Sequence, residues 1–165
     1  MDAIIDVMRR EDWDEVREIY LDGLATGQAS FETEAPAWEQ WDESHHKHSR
    51  LVVRQPDVVM AFGALSPVSQ RKCYAGVAEV SLYVAAAFRG KGIGKRLLQA
   101  LIESSERNGI WSLYSATFPE NTASIQMHLA CGFRVVGRRE KIAQHHGVWR
   151  DTIITERRSP VVGVE

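Results

Sequence analysis

The 165-residue sequence contains only two cysteines, Cys73 and Cys131. Two cysteines cannot form the disulfide framework of a small secreted domain, so we expect free thiols and a cytoplasmic protein. The sequence also lacks an apolar run long enough to cross a bilayer, and it lacks a basic N-terminal segment followed by an apolar one. These absences predict a protein without a membrane partner and without a secretory leader.

A strong net charge is missing as well, because 20 Lys and Arg residues stand against 22 Asp and Glu residues. A nearly neutral chain has no general attraction to nucleic acid or to anionic lipid, so no nucleic-acid partner is expected. With 44% hydrophobic residues, a chain of this length can bury one core. We predict a single domain over residues 1–158 and a loose tail over residues 159–165.

The hydrophobic periodicity predicts the element order β-α-α-β-β-β-α-β-α-β-β. Such alternation is typical of an α/β or α+β sandwich, in which helices flank a mixed, mainly antiparallel central sheet. The predicted elements include a strand over residues 74–84, a helix over 92–107 and a closing antiparallel pair over 133–138 and 148–156.

A glycine-rich loop, Arg89-Gly90-Lys91-Gly92-Ile93-Gly94-Lys95, lies between that predicted strand and helix. Backbone N–H groups at a helix start have no intrahelical acceptor, and glycines let a ligand approach them closely. The helix dipole and the cationic side chains add attraction for an anion. The loop therefore predicts a phosphate or pyrophosphate site, with a plain turn and a solvated basic rim as the alternative.

Two known nucleotide-binding signatures do not fit the glycine-rich loop. A Walker A motif has four residues between its first glycine and its Gly-Lys pair, whereas only three separate Gly90 from Gly94, and Arg96 replaces the magnesium-binding Ser or Thr. The dinucleotide fingerprint needs a glycine where Leu97 stands. No acidic cluster at ligand spacing accompanies the loop, so no metal is expected.

The remaining pattern, Arg-x-x-Gly-x-Gly, resembles the acetyl-CoA pyrophosphate loop of the GCN5-related N-acetyltransferase (GNAT) superfamily. The segment from Asn121 to Phe133 resembles the superfamily's Asn-x-x-Ala-x-x-Leu-Tyr-x-x-x-Gly-Phe stretch. The sequence is most similar to the phosphinothricin and methionine sulfoximine/sulfone acetyltransferase branch, through residues 29–34, 78–84 and 146–151. His128, in place of tyrosine, also suits that branch.

The resemblance implies a GNAT-like acyl-CoA N-acyltransferase fold and an enzyme that transfers the acetyl group of acetyl-CoA directly to an amine. The expected acceptor is a small amino-acid-like molecule of the phosphinothricin, methionine sulfoximine or methionine sulfone type. Acetyl-CoA is then the co-substrate, and a homodimer is expected. The resemblance further implies that the strand Leu82-Tyr83-Val84 pairs with the pantetheine arm and that Asn121 and Ser124 lie near the same co-substrate.

By the same resemblance Glu79 is the candidate base and His128 the candidate acid or proton relay. Glu79 lies in an otherwise apolar predicted strand, in phase with Ser81 and Tyr83. A histidine that titrates near neutrality can protonate a leaving thiolate or relay the amine proton. The plainer alternatives are a strand carboxylate that faces water and a core or surface histidine.

Phe31, Glu32 and Tyr74 are candidate acceptor-binding residues by resemblance, and Arg71 or Lys72 is a candidate for binding the acceptor's acidic end. Two other functions stay open at this point. The acceptor can be another amine, such as a protein N-terminus, a polyamine or an aminoglycoside. Alternatively, the chain is a non-catalytic module that binds acyl-CoA.

Overall fold

The structure is a computed structural model that describes residues 2–165. Seven strands form one sheet, and helices cover both of its faces. The strands are β1 Ile4–Val7, β2 Leu51–Gln55, β3 Val58–Pro67, β4 Val77–Val84, β5 Ser112–Thr117, β6 Arg134–His145 and β7 Val148–Arg158. The helices are α1 Trp13–Ala25, α2 Trp38–Ser44, α3 Ile93–Arg107 and α4 Thr122–Ala130.

The strands are arranged in the order β1-β2-β3-β4-β5-β7-β6. Strands β4 and β5 are parallel, and every other neighbouring pair is antiparallel. The crossover that joins the parallel pair contains the glycine-rich loop and α3, as parallel strands require a long connection. The predicted element order and the mixed, mainly antiparallel sheet are thus confirmed.

The parallel pairing of β4 with β5 is short. Residues Val77–Glu79 pair with Ser112–Tyr114, whereas β4 continues to Val84 and β5 pairs onward only with β7. The two strands therefore separate after Glu79, and the second half of β4 has a neighbouring strand on one side only. We call this opening the β4–β5 gap.

Side chains of β4 alternate between the two faces of the sheet. Val80, Leu82 and Val84 belong to the core cluster that packs against α3, in which Leu97, Leu98 and Leu101 are fully buried. Tyr83 belongs to the second cluster, formed with α1 and α2 around Val16, Trp41 and Phe62. Glu79 and Ser81 lie on the same face of the sheet as Tyr83. The β4–β5 gap therefore has side chains of β4 from both faces beside it.

The largest departures from the predicted bounds concern β4 and β6. Strand β4 begins at Val77, because residues Lys72–Tyr74 form a 3-10 turn. Strand β6 extends to His145 rather than to residue 138, and its register with β7 shifts twice. Such bulges interrupt the alternation of apolar and polar residues from which a strand is predicted.

The tail beyond β7 is hydrogen-bonded to the domain. Ser159 is buried and donates its N–H to the carbonyl of Trp111 at 2.8 Å. The guanidinium of Arg158 donates to the carbonyls of Val162, at 2.8 Å, and Gly163. No helix within residues 2–165 has the length and apolar character needed to span a membrane.

Candidate active site

A cavity of about 1180 Å³ lies at the β4–β5 gap and is lined by residues from both faces of the sheet. Most of the residues predicted for the site line it. These are Phe31, Glu32, Glu79, Leu82, Tyr83, Val84, Arg89, Gly90, Gly92, Ile93, Gly94, Lys95, Asn121, Ser124 and His128. Lys91 and Tyr74 are predicted site residues that do not line the cavity.

The glycine-rich loop forms one end of this cavity. Gly90 and Gly92 have φ values of +75° and +78°, a backbone conformation that glycine adopts without strain. The first helical hydrogen bond of α3 runs from the Arg96 N–H to the Gly92 carbonyl. Within the described residues, the amides from Gly90 to Lys95 donate no hydrogen bond. These amides, at the positive end of the α3 dipole, can bind a phosphate or pyrophosphate group.

Gly94 has a packing role that the sequence does not reveal. A Cβ atom there would lie 2.9 Å from the Met127 sulfur and 3.4 Å from a Val84 methyl carbon. Gly94 therefore allows α3, α4 and β4 to meet at the cavity wall.

The positive charge at this end comes from Lys95 and Arg89. The Arg89 Nε donates to the Val84 carbonyl at 3.1 Å, which fixes the side chain beside the end of β4. The Lys91 ammonium lies 5.8 Å from the centre of the Phe88 ring, outside the cavity lining.

The backbone of β4 offers hydrogen-bonding groups to the cavity. The Ala85 N–H donates to Met60 of β3, whereas the Gly76 carbonyl accepts from Trp111 and Ser112 on the β5 side. Because backbone groups alternate in direction along a strand, the even-numbered residues of β4 direct theirs toward β5. Beyond Glu79 no strand is paired there, so the N–H and C=O of Leu82 face the gap.

Glu79 lies where the two strands begin to separate. It is the register partner of Tyr114, whose hydroxyl donates to the Glu79 Oε2 at 2.9 Å. Burial, together with the negative charge of Glu79, raises the pKa of Tyr114 to about 12, so the phenol stays a hydrogen-bond donor at neutral pH. The sequence gives no signal for Tyr114, because the contact joins residues far apart in the chain.

The opposite end of the cavity is aromatic and acidic. The Tyr83 ring stacks on Phe62 at 5.4 Å between centroids and meets the edge of Tyr20 at 5.1 Å. Burial is the main cause that raises the pKa of Tyr83, and nearby Tyr20, Glu79 and Glu32 raise it further. The described residues that line this end include no lysine or arginine, so it favours a cationic group.

The predicted acceptor-binding residues fall into two groups. Phe31 packs edge-to-face on Phe118 at 4.8 Å and lines the cavity together with Glu32. Tyr74 is exposed, and the guanidinium carbon of Arg71 lies 5.4 Å from the centre of its ring. Tyr74 does not line the cavity. Lys72 and Arg71 lie outside the lining as well.

His128 is a buried histidine with one unpartnered nitrogen. Its Nδ1 lies 2.7 Å from the Ser124 carbonyl, and because a carbonyl only accepts, Nδ1 carries the proton. Nε2 is then an acceptor, and it has no partner within the described residues. Burial lowers the pKa of His128, so the ring is uncharged at neutral pH and has no proton to give at Nε2.

Asn121 caps α4, since its Oδ1 accepts from the Ser124 N–H at 3.3 Å. Its Nδ2 donates to the Gln28 carbonyl at 3.3 Å, so this residue also reaches across the cavity. With both of these hydrogen bonds formed, Asn121 still lines the cavity.

Three histidines, His45, His46 and His48, follow α2 and make aromatic contacts. His45 stacks on Trp41 at 4.2 Å, and the His46 and His48 rings stack at 4.8 Å. Across the described part of the chain, no group of three or more His, Cys, Asp or Glu side chains is arranged to hold a metal ion.

Comparisons with known proteins agree with this geometry. The model of the acetyltransferase (GNAT) family matches residues 7–133, so the chain belongs to that family. The predicted superfamily and fold are therefore confirmed, and so is the expected type of activity, acetyl-CoA-dependent N-acetylation.

Relatives from the predicted branch are also found. A phosphinothricin N-acetyltransferase of Alcaligenes faecalis is 30% identical over 158 residues, covering 92% of this chain and 80% of that protein. An L-methionine sulfoximine/L-methionine sulfone acetyltransferase of Pseudomonas aeruginosa is 40% identical over 78 residues, which cover 47% of this chain and 45% of that protein. This second match thus spans less than half of the Pseudomonas enzyme.

A solved structure shares the fold over the whole chain. The phosphinothricin acetyltransferase of Sinorhizobium meliloti, a GNAT protein in complex with AcCoA, superposes with a TM-score of 0.88 at 24% identity. The superposition covers 100% of this chain and 92% of that one.

The anion site can be tested by placing a carboxylate in the glycine-rich loop. We expect Gly92→Asp to raise the KM for acetyl-CoA by about tenfold or more, because the new charge repels the pyrophosphate. The helix itself tolerates an acidic residue at its N-terminus. Steady-state kinetics and a direct CoA binding measurement check this effect.

Gly109→Asp is the matched control for that substitution. Gly109 follows the other end of α3, and its φ is also +78° with open space around it. Equal KM values for acetyl-CoA in the two variants would contradict the assignment of the loop.

The contact between Tyr114 and Glu79 generates a second expectation. Tyr114→Phe removes one hydrogen bond to a charged group and keeps the ring, so kcat/KM for the acceptor should fall by about tenfold. The KM for acetyl-CoA should stay the same. In a Glu79→Gln background the second substitution should add little; a full additional loss there would mean that Tyr114 acts on something other than Glu79.

Proposed function

We propose that this protein transfers the acetyl group of acetyl-CoA directly to the α-amine of a small amino-acid-like acceptor. The acceptor class is that of phosphinothricin, methionine sulfoximine and methionine sulfone. One observation carries the proposal: a single cavity joins the free amides of the glycine-rich loop to the carboxylate of Glu79 through the β4–β5 gap. The names of the relatives support the acceptor class.

In this proposal the loop amides of residues 90–95 bind the pyrophosphate of acetyl-CoA, and Lys95 adds a positive charge. The pantetheine arm lies along β4 in the place that a neighbouring strand would take, near Asn121 and Ser124. The N–H of Leu82 faces the gap, and it donates to the thioester carbonyl oxygen. This hydrogen bond stabilises the negative charge that develops on that oxygen during acyl transfer.

Glu79 prepares the amine for attack. The acceptor enters as an ammonium ion at the acidic end of the cavity, and the Glu79 carboxylate removes one proton from it. The amine nitrogen then forms a bond with the acetyl carbon, while the bond from that carbon to sulfur breaks. The extra proton of the new amide passes to the CoA thiolate, and Glu79 releases its proton to water.

Two residues orient these groups. Tyr114 holds the carboxylate of Glu79 through its hydroxyl. His128 is uncharged at neutral pH, so we assign it a hydrogen-bond acceptor role at Nε2, toward the thiol formed at the end of the reaction, rather than the role of proton donor.

A second acceptor class is favoured by the charges of the cavity. Glu32, Glu34 and Glu79 line it near the acceptor, and the described lining there includes no lysine or arginine to meet an acidic group. Amines without a carboxylate, such as a polyamine, suit this charge pattern. A panel of phosphinothricin, methionine sulfoximine, methionine sulfone and polyamines, assayed for CoA release, separates the two classes; release only with the polyamines would reject the amino-acid-like acceptor.

Replacing the base is the most direct test of the chemistry. We expect Glu79→Gln to lower kcat by at least about 100-fold at neutral pH, because the amide cannot accept the amine proton. The affinity for CoA should stay nearly unchanged. Glu103→Gln, at an exposed position of α3, is the control. Unchanged turnover in Glu79→Gln would exclude this base, and no turnover by the unmodified protein would favour an acyl-CoA-binding module.

We also propose that the protein forms a homodimer through the β6–β7 hairpin. This hairpin carries exposed apolar side chains: Val135, Val136, Ile142, Val148 and Trp149. An edge strand with exposed apolar side chains favours association with another chain.

The homodimer proposal is tested by placing a charge in this patch. Trp149→Glu should shift the mass measured by light scattering from that of a dimer to that of a monomer. The control is Val161→Glu, which changes an exposed apolar residue of the tail. A monomer for the unmodified protein would reject the proposal.

A further inference from the structure

The loop between α1 and α2 crosses from one side of the β4–β5 gap to the other. It follows α1, which packs with β3 and β4, and its residues 28–32 line the cavity. Ser30 hydrogen-bonds to Tyr20 and Tyr83 on the near side, whereas Gly27, Gln28 and Phe31 contact residues on the β5 and β7 side of the gap. The position of Phe31 and Glu32 therefore depends on groups that the loop meets across the opening.

Arg150 of β7 makes most of these contacts. Its guanidinium donates to the Gly27 carbonyl at 2.6 Å and to the Gln28 Oε1 at 2.7 Å. It also donates to the Glu120 Oε2 at 3.2 Å. The Arg150 side chain is only 14% exposed, whereas that of its partner Glu120 is 60% exposed.

The same guanidinium stacks on the ring of Phe118, which in turn contacts Phe31. Its central carbon lies 3.6 Å from the centre of the Phe118 ring, and Phe118 in turn receives the edge of Phe31 at 4.8 Å. Phe118 is buried. Arg150 is thus connected to Phe31 in two ways, through the loop backbone at Gly27 and through the ring of Phe118.

His145 completes the group beneath the guanidinium. Its Nδ1 lies 3.3 Å from an Arg150 nitrogen, and because a guanidinium only donates, Nδ1 is the acceptor and the ring is neutral. Its ring contacts Phe118 at 5.7 Å.

We propose that Arg150 is a positioning residue for acceptor binding, which holds residues 27–32 across the β4–β5 gap and so fixes Phe31 and Glu32 in the acceptor end of the cavity. The proposal rests on the proposed function for the identity of that end. A planar guanidinium suits this task, because it donates to several oxygens at fixed angles and stacks on a ring at the same time.

Without Arg150 the loop loses its hydrogen bonds across the gap except the one from Asn121 to the Gln28 carbonyl. A loop that must be ordered when the acceptor binds lowers the affinity for the acceptor. The proposed co-substrate site consists of the glycine-rich loop, β4, Asn121 and Ser124, and the contacts of Arg150 include none of these residues. The effect should therefore appear in the KM for the acceptor and not in the KM for acetyl-CoA.

The test compares Arg150→Gln and Arg150→Lys with Arg158→Gln. Arg158 lies on the same strand and also donates to backbone carbonyls, those of Trp111, Ser159, Val162 and Gly163, and it is not among the residues that line the cavity. We expect Arg150→Gln to raise the acceptor KM by about tenfold. Arg150→Lys should fall between Arg150→Gln and the unmodified protein, since an ammonium forms fewer of these contacts. Arg158→Gln should leave both KM values unchanged.

Hydrogen exchange measured without any substrate gives a second readout. Amides of residues 27–32 should exchange faster in Arg150→Gln, whereas those of α3 should exchange at the rate of the unmodified protein. Unchanged exchange in residues 27–32 would overturn the proposal, and so would equal rises of both KM values in Arg150→Gln. Failure of the unmodified protein to acetylate any amine would instead reject the proposed function, and exchange would still decide whether Arg150 holds the loop.

Discussion

The early end of the pairing between β4 and β5 is the constraint on which this structure depends. The pairing stops at Glu79 and Tyr114, and the tyrosine hydroxyl bonds to the carboxylate at that point. Because β4 continues without a partner on that side, backbone groups that normally satisfy each other in a sheet face a cavity. The same separation brings residues from both faces of the sheet into the lining of one cavity.

The charges of the cavity follow this division. The cations Arg89 and Lys95 and the free amides of α3 are at one end, where an anionic phosphate group fits. Glu32 and Glu79 are at the other end, where an ammonium ion fits. Tyr83, at this acidic end, and the buried ring of His128 stay uncharged at neutral pH. Arg150 of β7, outside the cavity lining, donates hydrogen bonds to Gly27 and Gln28 of the loop that carries Glu32.

Local patterns were sufficient to predict the order of the elements and the glycine-rich turn before α3. The binding of acetyl-CoA by this turn and by Asn121 was expected from the resemblance and stays a prediction. Tyr114 and Arg150 could not be predicted in this way, since their partners lie 35 and more than 100 positions away and the contacts exist only after the sheet has formed. Tyr74 is predicted by resemblance to line the acceptor pocket, but it lies in a 3-10 turn before β4, exposed and outside the cavity lining.

The most direct test of the central claim is a crystal structure of the protein with CoA and an acceptor amine. The account predicts that the pyrophosphate lies within hydrogen-bonding distance of the amides of residues 90–95 and that the pantetheine arm passes through the β4–β5 gap alongside Leu82. The acceptor nitrogen should lie next to Glu79, on the face of Tyr83. A pyrophosphate bound away from the glycine-rich loop, or an amine bound on the α3 face of the sheet, would contradict it.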